Sequence, residues 1–414
     1  MYPDWPETAA DLVPQPLCPG PKLAAFDFQG PQDIEFLEYL GEGLHSHVLR
    51  VKIKGQEYAL KLFRFGYDES WIGPGQYNAN GTRAKLTVLA QYSEPFNAEC
   101  RAFGRLQEAG YSELAIPCYG YILLDEENER RLQDKFNLEF NGDNEISEDD
   151  LRGRFLGERS GKPPPVRCIV KALGSTHARN DPVNFSVPMM RRLFRETVQL
   201  QQLGIFCHDT RIENLINDKL ADFSTAITVP HFMTTPELNP LLTAKDIEDM
   251  ELETFMRTMS DYWAYIEMLF FMDRNPAQRS KLLDKIPVLP GGLNPHLAKR
   301  LVLRDTPRRK LGHQRVFAMV DPRRYDWKAT SAAAAETRGV RKRRPRKTLS
   351  AKPELWYLNC TPEEAIKFNN RRDDYHTTGW RVDDAGFVFP ASTELGHQEF
   401  EDETRRKQGL PLRR

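Results

Sequence analysis

Short segments with strand-type composition occupy the first part of the chain, and segments with helical spacing follow them. Ile34–Tyr39, Val48–Ile53 and Glu57–Phe63 are brief, contain many β-branched and aromatic residues, and are separated by turn-forming residues. Ile116–Leu124 and Val166–Leu173 have the same character. Five such segments predict an antiparallel sheet rather than a helical bundle.

Helical spacing interrupts this series once and then replaces it. At Phe96–Ala109 apolar residues recur every three or four positions, and Gly110 supplies a stop signal. Val187–Leu203 repeats the pattern, with Ser186 as the expected N-cap. Five strands with one inserted helix, followed by further helices, predict an α+β fold of two lobes, one built on a sheet and one mainly helical.

The same patterns divide the chain into segments. Its start is rich in proline, and two stretches of the sheet lobe resemble insertions, because one lacks periodicity and the other is highly charged. Trp356 and Trp380 are too apolar for a free tail, so the chain end should dock on the helical lobe or form a small subdomain. The predicted segments are an irregular lead-in (1–32), the sheet lobe (33–173) with insertions near 66–93 and 125–165, the helical lobe (174–300), a basic linker (301–350) and a C-terminal appendage (351–414).

Charge and apolar content limit the setting in which the chain acts. Residues 1–300 carry 33 Lys+Arg and 43 Asp+Glu, a balance of −10, whereas residues 301–414 carry 25 and 16, a balance of +9. The most apolar stretch, Ala264–Met272, is far shorter than the roughly 20 residues of a membrane span. Six cysteines without a C-x-x-C pair fit reduced thiols. We expect no membrane contact and a nuclear or cytoplasmic location.

The first chemical motif lies between the first two predicted strands. Gly41, Gly43, Ser46 and Val48 match the pattern G-x-G-x-x-G-x-V, except that Ser46 replaces the third glycine. Glycines there let the backbone lie close to phosphate groups, because no Cβ intervenes. A plain hairpin turn is the alternative interpretation.

A lysine and a glutamate follow at spacings that suit phosphate binding. Lys61 lies twenty residues after Gly41 and ends Tyr58-Ala59-Leu60-Lys61, which resembles the V-A-I-K strand motif of protein kinases. This resemblance implies that its ammonium points under the glycine loop. Such a lysine needs a carboxylate to position it, and Glu99 in the predicted helix is the first candidate. Glu94 is a weaker candidate, because Pro95 places it before the helix. The alternative for each is a solvated surface charge.

The most specific stretch runs from Cys207 to Ser224. Asp209 and Asn214 stand five residues apart, and Asp222 follows eight residues later at the start of Asp-Phe-Ser. This order resembles the H-R-D-L-x-x-x-N and D-F-G motifs of the protein-kinase-like superfamily. The resemblance implies a bilobal kinase-like fold, with ATP and Mg²⁺ as cofactors.

The same resemblance implies a role for each polar residue. Asp209 would orient the acceptor hydroxyl and accept its proton, and Arg211 would neutralise charge on the transferred group. Asn214 and Asp222 would hold the Mg²⁺ ion. The nucleotide would be held by the glycine loop and the lysine pair, that is by Gly41, Gly43, Ser46, Val48, Lys61 and Glu99.

Several positions depart from the kinase pattern. Ser46 and Ser224 stand where glycines are usual, and Cys207 and His208 stand where histidine and arginine are usual. A third kinase motif is present: Ser260-Asp261-Tyr262-Trp263 resembles the S-D-x-W start of a C-lobe helix. The resemblance implies that Asp261 accepts hydrogen bonds from backbone amides of the catalytic loop.

A narrower resemblance covers about residues 33–265. The Glu42–Val48 loop, the long insertion after Lys61 and the Cys207-His208-Asp209 form, together with the lead-in, resemble the FTA2 family of filamentous-fungal kinetochore Sim4 complex subunits. This resemblance implies protein partners at a centromere or in another nuclear complex.

A basic run closes the linker. Between Arg304 and Lys347 there are 15 basic and 4 acidic residues, and the run at 338–347 is the densest part. Such a run is typical of a nuclear-import signal or a nucleic-acid contact, and a solvated linker is the alternative. Without interleaved aromatic residues it offers attraction to a phosphate backbone only. We expect it to be exposed and without fixed structure.

Two functions stay open on the sequence alone. One is an ATP- and Mg²⁺-dependent phosphotransferase that acts on a protein hydroxyl. The other is a catalytically weak or inactive kinase-fold scaffold subunit of a Sim4-type kinetochore complex. The altered glycine and arginine positions favour the scaffold. The enzyme is favoured by the intact set of Lys61, Glu99, Asp209, Asn214 and Asp222.

Overall fold

The computed structural model describes residues 1–66, 71, 82–142, 150–175, 187–271, 315–329, 346–351, 353–360, 380–390 and 394–412. They form a mixed α+β structure. The helices are α1 (Arg83–Ser93), α2 (Pro95–Ala109), α3 (Glu126–Phe136), α4 (Val187–Gln202), α5 (Ala244–Phe271) and α6 (Glu394–Lys407). The strands of the main sheet are β1 (Ile34–Gly43), β2 (Ser46–Ile53), β3 (Gln56–Phe63), β4 (Cys118–Leu123) and β5 (Arg167–Lys171). The shorter strands are β6 (Ile205–Phe206), β7 (Leu215–Ile216), β8 (Lys219–Leu220), β9 (Ile227–Thr228), β10 (Arg315–Val320), β11 (Leu355–Cys360), β12 (Trp380–Val382) and β13 (Val388–Pro390).

The main sheet has the strand order β1-β2-β3-β5-β4, and all neighbouring strands are antiparallel. The predicted five-stranded antiparallel sheet is therefore confirmed, with strand ends that differ by a few residues. Because side chains alternate along a strand, Leu60 and Leu62 of β3 join one hydrophobic cluster, whereas Phe63 joins the cluster that contains α2. Lys61 lies on the same face as Phe63 and therefore points toward α2.

Helix α2 packs on the sheet through the apolar face that its spacing predicts. Glu94 is its N-cap and accepts a hydrogen bond from the Asn97 amide, and Gly110 ends it at a φ of 76°, in the left-handed region that favours glycine. The buried face consists of Phe96, Cys100, Phe103 and Leu106.

Two fully buried arginines tie α2 to the chain that follows α4. Arg105 donates hydrogen bonds to the carbonyls of Leu203 (2.9 Å) and Val229 (2.5 Å), and Arg101 donates to the carbonyl of Thr228 (3.0 Å). A guanidinium carries five N–H donors, so each arginine can satisfy several backbone carbonyls that are withdrawn from water. The position of α2 is thus fixed from the sheet side and from the opposite side.

Two helices lie in the segments predicted as insertions without regular structure, so that prediction is wrong for part of each. In the 66–93 segment, α1 buries Leu89 and packs against α2, although it has only a weak apolar stripe. In the 125–165 segment, α3 buries Leu132 as its one apolar residue of low exposure and is otherwise highly charged. Helices of this kind depend on tertiary packing and capping, which hydrophobic periodicity does not report.

The lead-in lies against the sheet and α2. Ala25 forms a parallel bridge with Tyr121 of β4, which covers that edge of the sheet. The backbone of Lys22 crosses α2 at Gly104, where a Cβ would lie 2.6 Å from the Lys22 carbonyl. A helix position without a Cβ is what permits this close approach.

The C-terminal appendage docks on the rest of the chain, as its aromatic residues predict. The ring of Trp356 in β11 lies 4.9 Å from the ring of Phe255 in α5. Val382 and Val388, in the β12–β13 hairpin, are buried in a hydrophobic cluster that includes Leu89 of α1. The β12–β13 hairpin therefore contributes to the core.

Of the basic run at 338–347, only Arg346 and Lys347 lie within the described residues. The Lys347 amide donates to the carbonyl of Ala109 (3.1 Å), and the Arg346 guanidinium lies 3.9 Å from the ring of Tyr111. The expectation of a run without fixed structure is wrong at these two positions, because a helix end and an aromatic ring anchor them. The remainder of the run lies outside the described residues.

Residues 272–300 of the predicted helical lobe also lie outside the described residues, so the segment boundaries stay predictions. Within the part of the chain that the structure describes, no helix is long and apolar enough to cross a membrane.

The crossing at Gly104 gives a direct test of the lead-in. We expect Gly104→Ala to lower the free energy of unfolding in urea by about 1–3 kcal/mol, because the added methyl group overpacks the crossing. Trypsin should also cleave after Lys22 faster than in the wild type. Gly43→Ala is the control, since a Cβ at Gly43 meets nothing within 4 Å. Equal losses in both variants would contradict this account.

Candidate functional site

A group of charges, buried except for the partly exposed Asp222, lies between the sheet and α2. Lys61 of β3 is 4% exposed, and its ammonium lies 2.7 Å from Oε2 of Glu99 and 2.8 Å from Oδ1 of Asp222. Glu99 projects from the face of α2 that meets the sheet, and Asp222 follows the short strand β8. The structure thus brings together three of the predicted residues, although 161 positions separate the first from the last.

A second lysine completes this group. Lys171 is the last residue of β5 and is 6% exposed. Its ammonium contacts Oε1 of Glu99 and donates to the carbonyl of Ala221 at 2.6 Å. The sequence analysis did not select Lys171. The available signal was a lysine that ends the otherwise apolar Cys168-Ile169-Val170 strand, two residues after the inward-facing Ile169.

Lys61 and Asp222 stabilise each other in the charged form. Burial by itself would raise the pKa of Asp222, but the ammonium groups of Lys61 and Lys171 and the Ser224 amide hold it far below its ordinary value. Burial would lower the pKa of Lys61, and the carboxylates of Asp222 and Glu99 raise it instead. The group therefore consists of two cations and two anions.

Glu94, the weaker candidate for the partner of Lys61, has a different role. It lies 2.5 Å from the guanidinium of Arg167 in β5, and both side chains are buried. Because Glu94 also caps α2, this pair fixes the start of that helix against the sheet.

A second group of polar residues lies in the loop between β6 and β7. The Asn214 amide donates to the backbone carbonyl (2.8 Å) and to Oδ2 (3.1 Å) of Asp209, and Arg211 contacts Oδ1 of Asp209. Burial raises the pKa of Asp209, Arg211 opposes this, and the charge of Asp222 adds to it. Asp209 remains partly exposed, and the Arg211 side chain is 70% exposed.

Asp261 holds this loop from α5. Its Oδ1 accepts hydrogen bonds from the amides of Cys207 and His208, both at 2.8 Å. This contact was predicted from the Ser-Asp-x-Trp pattern and is present. His208 has a φ of 63°, unusual for a residue other than glycine, and the two bonds to Asp261 stabilise that conformation.

The glycine loop is a tight hairpin between β1 and β2. Gly43 pairs with Ser46 across a two-residue turn, and Gly41 pairs with Val48, next to a register shift, at a φ of 149°. Ser46 is buried, whereas His45 of the turn lies 3.3 Å from the hydroxyl of Ser224. The loop therefore reaches the segment after Asp222 through His45, which the sequence analysis did not select.

The structure thus forms two groups of predicted residues, joined by a hydrogen bond from the Ala221 amide to the Asn214 carbonyl (2.9 Å). Within the described residues, no cluster of three or more His, Cys, Asp and Glu side chains has a metal-binding arrangement. The donors expected for Mg²⁺ are one carboxylate and one amide oxygen, and Mg²⁺ commonly completes its shell with water and substrate oxygens. The contacts of Asp222 with Lys61 and Ser224 use Oδ1, and Asn214 uses its NH₂ group, so the residues fit such an ion.

Comparison with known families identifies one match. The family model described as kinetochore Sim4 complex subunit FTA2 matches residues 12–227, more than half of the 414-residue chain. The matched range contains residues 12–32 of the lead-in, the main sheet, α1 to α4 and every residue of the two polar groups. No curated protein matches this chain.

Asp261 predicts a pH dependence of stability. Burial raises its pKa to about 7, from an ordinary value of 3.8. Between these values the folded chain binds a proton that the unfolded chain has lost, so this group lowers stability as pH rises toward 7. Asp261→Asn does not titrate, and we expect its urea midpoint to fall less than that of the wild type between about pH 5 and pH 7.5. Asp134→Asn, at an exposed position of α3, is the control. Parallel profiles for all three proteins would contradict this assignment.

Proposed function

We propose that this chain, which belongs to the FTA2 family of kinetochore Sim4 complex subunits, is a kinetochore subunit that uses a kinase-like bilobal fold to bind protein partners. Membership in a family of complex subunits implies protein partners and a place at the kinetochore. The kinase-like fold is the finer part of the proposal. It is supported by the order and antiparallel pairing of the five strands, by α2, and by the contact of Lys61 with both Glu99 and Asp222.

One observation carries the scaffold interpretation. The four charges between the sheet and α2 neutralise one another without any ligand, because Glu99 contacts both lysines and Asp222 contacts Lys61. A buried charge without a partner costs several kcal/mol, so the three buried members, Lys61, Lys171 and Glu99, require one another. Asp222, with a side chain that is 33% exposed, balances Lys61 from the edge of the group. The presence of kinase-type residues in this chain therefore has a structural reason that does not depend on catalysis.

A second candidate function is an ATP- and Mg²⁺-dependent phosphotransferase. It is favoured by Asp209, which is partly exposed, lies outside the four-charge group and is oriented by Asn214. Bound Mg²⁺ would supply positive charge against the phosphates of ATP. Asn214 and Asp222 would hold it, Lys61 and the glycine loop would bind the phosphates, and Asp209 would accept the proton of a protein hydroxyl. Burial helps Asp209 in that task, because it raises the pKa of the carboxyl toward neutral pH.

Asp209→Asn separates the two functions. In a scaffold it should support growth and co-purify with partner subunits as the wild type does, because no buried charge loses its counter-ion. In an enzyme it should leave Mg·ATP binding nearly intact and lower turnover by about 10²- to 10⁴-fold. Complementation, co-purification and a phosphorylation assay on the same preparations measure this. Failed complementation by Asp209→Asn with intact partner binding would contradict the scaffold.

Lys61→Ala is the matched comparison. It leaves Asp222 without its direct cation contact, and Glu99 with one lysine instead of two. We expect it to lower the free energy of unfolding by about 3–5 kcal/mol. Its failure in complementation would then follow from lost protein, which immunoblotting and thermal denaturation detect. A Lys61→Ala protein of wild-type stability would contradict the structural role of the four-charge group.

The basic run predicts a separate contribution to nuclear location. Replacing residues 341–344 with alanine should shift a fluorescent fusion toward the cytoplasm, because import receptors recognise clustered positive charge. Arg346→Ala is the control, since that side chain contacts Tyr111 and Glu113 on the body of the protein. An unchanged nuclear signal in the 341–344 variant would contradict the import function and would favour the interpretation of this run as a solvated linker.

A further inference from the structure

Lys171 has no role in the motifs that the sequence presents, yet it lies at the centre of the candidate site. It is the last residue of β5, and its ammonium lies over the ring of Phe103, 5.3 Å from the ring centroid. The same ammonium contacts Glu99 and the carbonyl of Ala221. These contacts join three elements, namely the sheet, α2 and the backbone that leads into Asp222.

The two lysines contact different carboxylate oxygens of Glu99. Lys61 lies at Oε2 and Lys171 at Oε1, so each carboxylate oxygen has its own cation. Most ion pairs join one carboxylate to one ammonium group. Glu99 instead contacts two ammonium groups, which come from the adjacent strands β3 and β5. Lys61 in turn shares its charge between Glu99 and Asp222.

We propose that Lys171 is a positioning residue of this cleft, which neutralises the Glu99 oxygen that Lys61 does not contact and holds the backbone that leads into Asp222. Because Lys171 balances Glu99, Lys61 keeps positive charge for Asp222 or for an anionic ligand, such as a phosphate group, that enters the cleft. The positioning role goes beyond the proposed function and applies to scaffold and enzyme alike. The ligand consequence rests on the second candidate function.

Packing alone does not account for a lysine at this position. Its neighbours on β5, Ile169 and Val170, are fully buried apolar residues, and an apolar side chain at 171 would continue that pattern. An ammonium removed from water is costly unless it is paired, and the carbonyl of Ala221 cannot neutralise it. Glu99 is the carboxylate that does so.

A double-mutant cycle tests the charge pairing in the full chain. Lys171→Met keeps the stem and removes the charge, and it should raise the unfolding equilibrium constant at least about 100-fold, because it leaves one excess negative charge among buried groups. Glu99→Gln combined with Lys171→Met restores one cation to one anion. We expect the double variant to be more stable than Lys171→Met alone, by at least about tenfold in the same constant.

Two further variants separate positioning from bulk. Lys171→Arg retains a cation and should stay within about tenfold of the wild type, while hydrogen exchange of the α2 amides around Glu99 should stay slow. In Lys171→Met the exchange of those amides, relative to the wild type, should accelerate at least about tenfold more than the exchange of the β4 amides. Lys52→Met, at an exposed lysine on β2 of the same sheet, is the control and should change neither measurement.

The proposal is overturned if the double variant is no more stable than Lys171→Met, or if Lys171→Met leaves exchange in α2 unchanged. Should Lys171→Met not fold, folding of the double variant supports the proposal and its absence overturns it. Titration with Mg·ATP gives an independent result. If the wild type binds, Lys171→Met should bind at least about tenfold more weakly and Lys171→Arg should not. If the wild type does not bind, the second candidate function fails, and the cycle alone decides the role of Lys171.

Discussion

The contact of one buried glutamate with two lysines is the interaction on which the centre of this protein depends. Glu99 is fully buried, and a lone carboxylate in that position would be costly. Lys61 and Lys171 come from adjacent antiparallel strands, so the sheet delivers both cations to one side of α2. Asp222 then balances the second cation. The contact of Asp222 with Lys61 thereby holds the segment after β8 against the sheet. Residues from β3, β5, α2 and this segment thus meet in one group with balanced charges.

Helix α2 transmits this constraint to the rest of the fold. Its sheet side carries Glu99, and Arg101 and Arg105 bind the backbone carbonyls of the chain after α4. The lead-in crosses the same helix at Gly104, and the end of the basic linker docks on its last carbonyl. A shift of α2 would break all of these contacts together. The candidate site, the lead-in and the end of the basic linker therefore share one support, which suits a subunit that presents a fixed surface to its partners.

The sequence was sufficient where local chemistry determines the structure. Short segments of strand-type composition between turn-forming residues predicted the five strands, three- and four-residue spacing predicted α2, and the Ser-Asp-x-Trp pattern predicted the contacts of Asp261. It was insufficient where tertiary contacts decide. Helix α3 has mostly charged and polar residues and too few apolar ones for a helical stripe. Lys171 becomes part of the site only because β5 pairs with β3, in a register that no local pattern specifies.

The two polar groups differ in what they need from their surroundings, and this difference determines which residues report on function. Asp222 contacts Lys61 through a side chain that is 33% exposed. Lys61, Lys171 and Glu99 are buried and are held by one another, so loss of any of these three unbalances the charges of the group whether or not a nucleotide ever binds. Their presence is explained by stability alone. The contact of Asp209 with Arg211 lies outside that group, and water can solvate the Arg211 guanidinium, which is 70% exposed, when Asp209 loses its charge. An effect of neutralising Asp209 in cells would therefore reflect chemistry or recognition, since the fold does not require its charge.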